Sequence, residues 1–262
     1  MSEPEPALVG VDFTGDTLRL MLGNLSGEIF YRQEFPLPDV DDEEAWAWEV
    51  GGRISSAFAA EGERRWALGI GVACPGAVDT ATGILMESTA NPAWDGLHIV
   101  DALRRHIDAP VVALSRTLAA LRGEAASGAA AHTFDAIYVS LQDGPSAAIM
   151  SNARVIGGAN ARAGALPAFP EVTAGAPLAG DDLEHAAALL ADVVALLDPQ
   201  VVILHGLPEH TEPLAPVLQR VLDEISPGAT VTPPALGDYA ALLGAFQAAS
   251  TVSYEGERDD QP

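Results

Sequence analysis

The sequence PVVALSRTLAALRGEAASG, Pro110–Gly128, indicates the fold class of this chain. Val111–Leu114 is a short apolar run that predicts a buried strand, and the segment rich in Ala, Leu and Arg after it predicts a helix. A strand that leads directly into a helix is typical of α/β proteins, which bind their ligands at such corners. Ser115 and Arg116 occupy this corner and are therefore candidate ligand-contacting residues.

The sequence before this corner alternates strands with helices. The predicted strands are Ala7–Asp12, Thr17–Leu22, Glu28–Phe35 and Trp66–Ala73. The predicted helices are one that Asp41 and Asp42 can cap and that ends near Ala60, and a short one at Ile99–Ile107. Tight turns join the first three strands, so the first half has the predicted order βββαβαβα.

The sequence after the corner repeats this order loosely. Predicted strands are Phe134–Leu141, Ser146–Ser151, Ala153–Ile156, Val201–Leu204 and Ala229–Thr232. Predicted helices are Leu183–Leu197, Leu214–Ile225 and Tyr239–Ala249. Periodicity alone favours an α/β protein of one or two lobes. Residues 252–262 form an acidic tail with little to bury, which we expect to be disordered.

The composition excludes several classes of protein. The chain has 262 residues, 48% of them hydrophobic, and a formal net charge of −24. Such an excess of carboxylates argues against direct nucleic-acid binding and against binding to anionic membranes, because both require cations. No apolar run reaches the roughly 18 residues that span a membrane, and the N-terminus has no signal-peptide pattern. We therefore expect a soluble cytoplasmic protein.

The sequence also argues against a metal site. The single cysteine, Cys74, follows the apolar run Gly69–Ala73, which predicts an inert thiol in the core. Because the chain has one cysteine, an internal disulfide bond and a zinc site built from cysteines are excluded. The histidines share no ligand spacing with carboxylates or thiols, so no bound metal is expected.

Four segments of the sequence together carry a family pattern: GIGVACPGAVDTATGILMESTANPAWDG (Gly69–Gly96), the corner segment Pro110–Gly128, GGANARAG (Gly157–Gly164) and GDYAALLGAFQAA (Gly237–Ala249). Together they resemble the ROK family of repressors, uncharacterised reading frames and sugar kinases. The resemblance implies the actin-like ATPase (RNase H-like) fold, with two βββαβα-type lobes around a cleft that binds ATP. It places an N-terminal lobe at residues 1–115 and a C-terminal lobe at 116–251, followed by the tail.

The first phosphate loop departs from the pattern of the family's kinases. Their DxGGT motif is DFTGDT here, in which Asp12 and Gly15 remain while Thr14 replaces a glycine and Asp16 replaces the threonine. The carboxylate of Asp16 would repel a polyphosphate.

The second phosphate loop departs as well. Among Gln142–Ala148 one glycine of the loop, Gly144, remains, Asp143 adds a negative charge, and Pro145 lacks an N–H group. The family has a late glycine pair that seats the nucleotide, and His205 and Gly206 occupy these two positions here. Weak or absent binding of Mg-ATP is the resulting expectation.

The catalytic and sugar-binding positions are altered too. The family's Asn-Asp pair, whose Asp is the general base, matches Ser115 and Arg116, and arginine has no acceptor for a proton. The sugar-binding Glu and His of the family's GELGH motif match Ala165 and Ala168, and the cysteine cluster that binds zinc is missing. The sugar loop retains Asn91, which Trp94 accompanies, and the glycine-rich stretch retains Asn160.

The resemblance thus predicts no catalytic residue and a set of ligand-binding remnants. They are Asp12, Gly15, Asn91, Trp94, Ser115, Arg116, Gly144 and Asn160. Asp12 can also be a carboxylate without a ligand, and Asn91 and Trp94 can simply stabilise their loop. Arg116 can form an internal salt bridge or bind an anionic ligand such as a sugar phosphate.

The predicted function is that of a non-catalytic, sugar-kinase-like ROK protein, acting as a small-molecule sensor or as a regulator that binds a partner. One alternative is an active, glucokinase-like, ATP-dependent sugar kinase with a relocated base. The other is a transcriptional regulator that acts through a partner, since only about six residues precede the first strand and leave no N-terminal DNA-binding domain. A sugar or an anion is the expected ligand, and a homodimer is a candidate assembly.

Overall fold

The computed structural model describes residues 4–37, 40, 42–61, 65–142, 144–160 and 162–259, the last seven by their backbone alone. The strands are β1 (Glu5–Phe13), β2 (Thr17–Gly23), β3 (Ile29–Pro36), β4 (Arg65–Cys74), β5 (Gly76–Asp79), β6 (Ile84–Ser88), β7 (Leu97–His98), β8 (Val111–Ser115), β9 (Ala136–Ser140), β10 (Ser146–Ser151), β11 (Arg154–Ile156), β12 (Val201–His205) and β13 (Thr230–Thr232). The helices are α1 (Glu43–Ala60), α2 (Ile99–Arg104), α3 (Arg116–Ser127), α4 (Gly180–Leu197), α5 (Pro208–Ile225) and α6 (Ala240–Asp259), with short 3-10 helices at Pro92–Trp94 and Gly237–Tyr239.

The first compact unit comprises Met1–Ala120 and Ala241–Pro262. Its sheet has the order β3-β2-β1-β4-β8, in which β1, β4 and β8 are parallel and β2 is antiparallel to both of its neighbours. The central strand β1 is buried along most of its length, as expected for a strand with both faces covered. One core cluster contains Trp46, Val50 and Ile54 of α1, and a second contains Leu242 and Phe246 of α6.

Helix α6 packs very closely against the sheet of this first unit. A Cβ at Gly10 would lie 2.8 Å from Cβ of Phe246, and a Cβ at Gly71 would lie 1.9 Å from the carbonyl oxygen of Ala245. Only glycine leaves room for the helix at these two strand positions. This packing explains why the C-terminal helix belongs to the first unit.

The second unit, Leu121–Ala240, repeats the architecture of the first. Its sheet has the order β11-β10-β9-β12-β13, with the same succession of antiparallel and parallel pairs. Helices α4 and α5 contribute Leu190, Val194, Leu214 and Leu218 to its core. The predicted repetition of a βββαβα-type half is therefore confirmed.

A buried carboxylate connects two segments of the second unit. Glu124 of α3 is fully buried and accepts hydrogen bonds from the backbone N–H groups of Ala129 at 2.6 Å, Ala235 at 3.1 Å and Leu236 at 2.8 Å. Three such donors compensate the loss of hydration that burial of a carboxylate entails. Glu124 thus joins the end of α3 to the segment that precedes α6.

Helix α5 begins six residues earlier than the sequence predicts, at Pro208 instead of Leu214. Two prolines inside it, Pro213 and Pro216, are poor signals for a helix interior because proline cannot donate to the carbonyl four residues before it. The structure supplies another donor for one of these carbonyls, since the N–H of Leu178 donates to the carbonyl of Glu209 at 3.1 Å. The tertiary contact therefore extends the helix across its prolines.

The domain boundaries also differ from the predicted ones. The chain passes between the units near residue 120 and again near 240, whereas the sequence places residues 116–251 in one lobe. The backbone of α6 is helical to Asp259, so most of the predicted tail continues a helix. The turn-rich segment after β4 holds a small antiparallel sheet, β5-β6-β7, that periodicity does not predict. No helix in the described part of the chain is both long and apolar enough to cross a membrane.

Candidate functional site

The candidate site begins at the end of β1, where Asp12 is fully buried. Arg19 lies directly opposite Asp12 on β2, and Glu34 lies opposite Arg19 on β3. Arg19 donates from Nη1 to Oδ2 of Asp12 at 3.2 Å and from Nε to Oε2 of Glu34 at 2.8 Å. Cross-strand neighbours stand close enough for such pairing, so the sheet register itself produces a row of alternating charges.

The corner between β8 and α3 supplies a second arginine to Asp12. The hydroxyl of Ser115 accepts a hydrogen bond from the N–H of Leu118 at 3.2 Å, which caps the helix. Arg116 is the first residue of α3, where the partial positive charge of a helix N-terminus disfavours a cation. Its Nε donates to Oδ1 of Asp12 at 2.7 Å, so a buried carboxylate compensates that cost.

The two oxygens of Asp12 are thus each bound by a different guanidinium. We call Asp12, Arg19, Glu34 and Arg116 the charge row; its two carboxylates and two guanidiniums sum to zero. Burial of the Arg19 guanidinium lowers its pKa, but the hydrogen bonds and charges of Glu34 and Asp12 outweigh this effect and leave the pKa above its ordinary value. Both arginine side chains are largely buried and Asp12 is fully buried, so the two pairs with Asp12 form in a medium that screens them little, whereas Glu34 is half exposed.

Cys74 lies beside the charge row. It is fully buried, and its thiol contacts the carbonyl of Val72 at a sulfur to oxygen distance of 3.9 Å. Burial first, and then the negative charge of Asp12, raise the pKa of this thiol well above its ordinary value. The burial of Cys74 agrees with the sequence prediction of a core thiol, and the raised pKa favours its protonated, less reactive form.

In the turn that follows β1, the threonine hydroxyls are engaged with a carboxylate. The hydroxyls of Thr14 and Thr17 both donate to Oδ1 of Asp16, at 3.2 and 3.0 Å, and the N–H of Thr17 donates to Oγ1 of Thr14 at 3.2 Å. Gly15 is exposed at the tip of this turn. Both hydroxyls are thus bonded to an exposed carboxylate, whose negative charge would lie beside a bound phosphate.

The second loop of the predicted nucleotide site belongs to the other unit. Gly144 is exposed with φ of +89°, a conformation that favours glycine, and Pro145 follows it. Asp143 lies outside the described residues. At the end of β12, Nε2 of His205 lies 3.4 Å from Oδ1 of Asp238. The imidazole of His205, with the carboxylate of Asp238 beside it, thus takes the first position of the glycine pair that the family resemblance predicts, and Gly206 keeps the second.

The residues predicted to contact sugar have structural roles in their own units. Asn91 caps the short helix Pro92–Trp94, because its Oδ1 accepts from the N–H of Ala93 at 2.9 Å. The indole of Trp94 is buried against Phe13 and donates from Nε1 to the carbonyl of Val40 at 2.8 Å. Asn160 is exposed. A role for these residues in ligand binding stays a prediction.

Among the predicted site residues, the structure brings Asp12, Ser115 and Arg116 together at one sheet edge. Sequence reasoning missed Arg19 and Glu34. The signal that could have found them is the hairpin spacing, because a turn at Thr14–Thr17 sets Arg19 opposite Asp12. The family resemblance implies Mg-ATP, but the charge row leaves no oxygen of Asp12 unbound by an arginine, and no group of His, Cys, Asp and Glu suited to a metal occurs among the described residues.

Comparison with known proteins identifies the relatives of this chain. The sequence profile of the ROK family matches residues 8–169. A glucokinase from Halalkalibacterium halodurans is 25% identical over 157 residues, which are 60% of this chain and 47% of that protein. The chain therefore spans about half the length of this curated relative.

Solved structures resemble the chain over nearly its whole length. A ROK family glucokinase from Streptomyces griseus, in complex with glucose and AMPPNP, aligns with a TM-score of 0.72 and 20% identity over 94% of this chain and 99% of that chain. A ROK family transcriptional regulator, a homologue of the E. coli MLC protein, aligns with a TM-score of 0.73 and 16% identity over 95% of this chain and 78% of that chain. These likenesses show the actin-like ATPase fold that was predicted. Because the family profile matches more than half of its residues, this protein belongs to the ROK family.

Proposed function

We propose that this chain is a non-catalytic, sugar-kinase-like ROK protein that acts as a small-molecule sensor or as a regulator that binds a partner. The observation that carries the proposal is the ion pair between Arg116 and Asp12. The position that matches the family's general base is a guanidinium, and it is bound to the aspartate of the first phosphate loop. A group with no acceptor cannot take a proton from a sugar hydroxyl.

The surrounding groups support the same proposal. Phosphoryl transfer depends on positioning both substrates and on neutralising the charge of the transferred group. In the turn after β1 both threonine hydroxyls donate to Asp16, so Asp16 competes with any phosphate for these two hydrogen-bond donors. In the second unit, Pro145 removes a backbone donor from the matching loop. A relocated base alone would therefore leave the nucleotide poorly held.

A sugar is the first candidate for the ligand. The similar Streptomyces griseus protein was solved with glucose and AMPPNP, and a non-catalytic relative can retain part of such a site. Asn91 and Trp94 would belong to it. An anion is the second candidate, because two arginines, Arg19 and Arg116, converge on Asp12 at the end of β1.

Two other functions remain alternatives. An active ATP-dependent sugar kinase with a relocated base is supported by the matching of the scaffold to a glucokinase. A transcriptional regulator that acts through a partner is supported by the likeness to a ROK family regulator. The net charge of −24 favours a regulator that binds a protein and not DNA.

A coupled assay of hexose-dependent ADP release tests the proposal directly. We expect no release above background from the wild-type chain with glucose, N-acetylglucosamine or mannose as the acceptor. Release that the wild-type chain supports and that Asp12→Ala abolishes would establish the active kinase instead. Calorimetry with Mg-ATP should give no dissociation constant in the micromolar range.

A thermal-shift series with sugars, sugar phosphates and nucleotides then identifies the ligand class. Stabilisation rises as RT ln(1 + [L]/Kd), so even weak ligands register at high concentration. Stabilisation by a sugar or a sugar phosphate without turnover supports a sensor. Stabilisation by Mg-ATP with turnover contradicts the proposal.

A further inference from the structure

The strand β3 is the longest edge strand of the described sheets. It spans Ile29–Pro36, and one of its edges pairs with β2. No described strand pairs with its other edge, which we call the outer edge of β3. An unpaired edge offers a row of backbone N–H and C=O groups to another strand. The outer edge of β3 is therefore a surface on which a further strand can be added.

The edge strand β13 of the second unit is protected, and β3 is not. On β13, the N–H of Val231 donates to Oε1 of Gln219 at 2.7 Å, and Nε2 of Gln219 donates to the carbonyl of Ala229 at 3.1 Å. The side chain of Gln219 thus occupies backbone groups that an added strand would need. Among the described residues, no side chain binds the backbone of β3 in this way.

The hydrogen bonds between β2 and β3 determine which backbone groups of β3 point outward. The N–H of Leu37 donates to the carbonyl of Asp16 at 2.7 Å, at the end of the ladder that joins the two strands. Hydrogen-bonded pairs alternate with non-bonded pairs along an antiparallel ladder, so the odd-numbered residues of β3 between 31 and 35 bond to β2. The N–H and C=O groups of Arg32 and Glu34 therefore point away from β2.

A second copy of β3 fits this edge in one register. Two identical strands can pair antiparallel about a two-fold axis, and the outward-pointing residues must then lie opposite one another. Near the middle of the strand the axis can pass through residue 32, 33 or 34. An axis at Arg32 or at Glu34 sets two like charges opposite each other, which is destabilising. An axis at Gln33 sets Arg32 of each copy opposite Glu34 of the other.

This register also continues the charge row. Glu34 accepts a hydrogen bond from Arg19 at 2.8 Å, and its side chain is still 52% exposed. Arg32 of the second copy would be the next cross-strand neighbour of Glu34, so the alternation of charge would extend by one residue. Charge complementarity therefore favours a second copy of this chain as the occupant of the edge.

The other face of β3 matches itself in the same register. Tyr31 and Phe35 are half-buried, and an axis at Gln33 sets Tyr31 of each copy opposite Phe35 of the other. Aromatic pairs are among the favourable cross-strand contacts. We propose that two copies of this chain associate through antiparallel pairing of their β3 strands, centred on Gln33, so that the two sheets form one continuous sheet.

Analytical ultracentrifugation of the full chain tests the proposal. A single strand pair buries less surface than a standard interface of about 1,600 Å², so we expect a reversible dimer with a micromolar dissociation constant. The mass should rise from monomer to dimer between about 1 and 200 μM in about 0.15 M NaCl, which screens the repulsion between acidic chains. Arg32→Glu sets two carboxylates opposite each other and should weaken association about tenfold or more.

Arg154→Glu is the matched control for Arg32→Glu. Arg154 is an exposed arginine on the edge strand β11, so the change of charge is the same on a different edge. It should change the dissociation constant by less than about twofold, which separates the proposed register from general repulsion. Circular dichroism confirms that each variant is folded.

A mixture of two variants tests the register itself. Glu34→Arg sets two arginines opposite each other, so this variant alone should be monomeric. An equimolar mixture of Arg32→Glu and Glu34→Arg should associate, because every cross-strand pair then again joins unlike charges. If Glu34→Arg does not fold, the comparison of Arg32→Glu with Arg154→Glu decides the question. A wild-type chain that stays monomeric, equal effects of Arg32→Glu and Arg154→Glu, or a mixture of folded variants that does not associate would each overturn the proposal.

Discussion

A Cβ placed on Gly71 would lie 1.9 Å from the carbonyl oxygen of Ala245, closer than any real contact of this kind. The strand β4 and the helix α6 therefore approach each other with backbone against backbone. We predict that Gly71→Ala destabilises the protein by about 3 kcal/mol or more, because neither backbone can move away without repacking the core. Urea unfolding followed by circular dichroism measures the change.

Gly52→Ala is the control for this prediction. Gly52 lies in the exposed part of α1, and a Cβ there would meet no atom within 4 Å. Alanine in a helix is favoured over glycine by about 0.5–1 kcal/mol, so this variant should be more stable than the wild type. Equal effects of the two substitutions would show that α6 does not depend on the glycine at position 71.

A second prediction concerns the ion pair of Arg116. Arg116→Ala leaves the buried Asp12 with Arg19 as its remaining arginine partner in the charge row, and should cost about 3 kcal/mol of unfolding free energy. Arg116→Lys keeps the charge but loses the planar fork, so its cost should be smaller. In a double-mutant cycle with Asp12→Asn, the two losses should be less than additive. Additive losses would mean that the pair contributes no coupling.

A third prediction concerns catalysis by the same position. Arg116→Asp places two carboxylates side by side and should lower stability without producing hexose-dependent ADP release. A general base contributes about 10²–10⁴ in rate, but Asp16 and Pro145 would still stand in the two phosphate loops. The coupled kinase assay measures the result. Turnover by this single variant would show that the base is the one missing group.

A fourth prediction concerns the buried carboxylate of Glu124. Glu124→Ala removes the acceptor of three backbone N–H groups and should cost about 3 kcal/mol or more. Hydrogen exchange should accelerate at Ala235 and Leu236, which Glu124 binds directly. Glu212→Gln, an exposed change on α5, serves as the control and should leave both rates unchanged.

A fifth prediction concerns pH and Glu43. Burial raises the pKa of Glu43, but the hydrogen bonds and charge of Arg105 and the N–H of His98 outweigh burial and lower the pKa below its ordinary value. A lowered pKa in the folded state adds stability above the unfolded pKa, and this stability is lost as pH falls through the folded pKa. Glu43→Gln should therefore destabilise the protein at pH 7, and the difference should shrink below about pH 4. Urea titrations at several pH values, with exposed Glu184→Gln as the control, measure it.

The strand pattern could be predicted from the sequence because apolar runs and turn residues bound each strand. Ser146–Ser151 has the predicted limits, and the helix at α4 begins only a few residues before its predicted start. The small sheet β5-β6-β7 could not be predicted, since its strands are short and rich in turn residues. The place of α6 could not be predicted either, because its packing on Gly10 and Gly71 is a long-range contact.

The candidate site could be predicted only in part. The sequence indicates that Arg116 replaces a base and can form an internal salt bridge, and the structure confirms the bridge. The pairing of Arg116 with Asp12 requires the ends of β1 and β8 to lie at the same edge of the sheet. A single sequence does not specify this arrangement. The roles of Asn91 and Trp94 in holding their loop depend likewise on contacts with Ala93 and Val40.

The charge row has a consequence for the descent of this protein. If the protein is non-catalytic, as proposed, a return to phosphotransfer would have to free Asp12 from its guanidiniums, yet removing either one alone leaves a buried charge poorly compensated. We expect each such first step to lower stability without restoring activity, so that selection for activity would not favour it. A designer who wants a kinase from this scaffold would therefore have to replace both arginines together, in addition to rebuilding the phosphate loops.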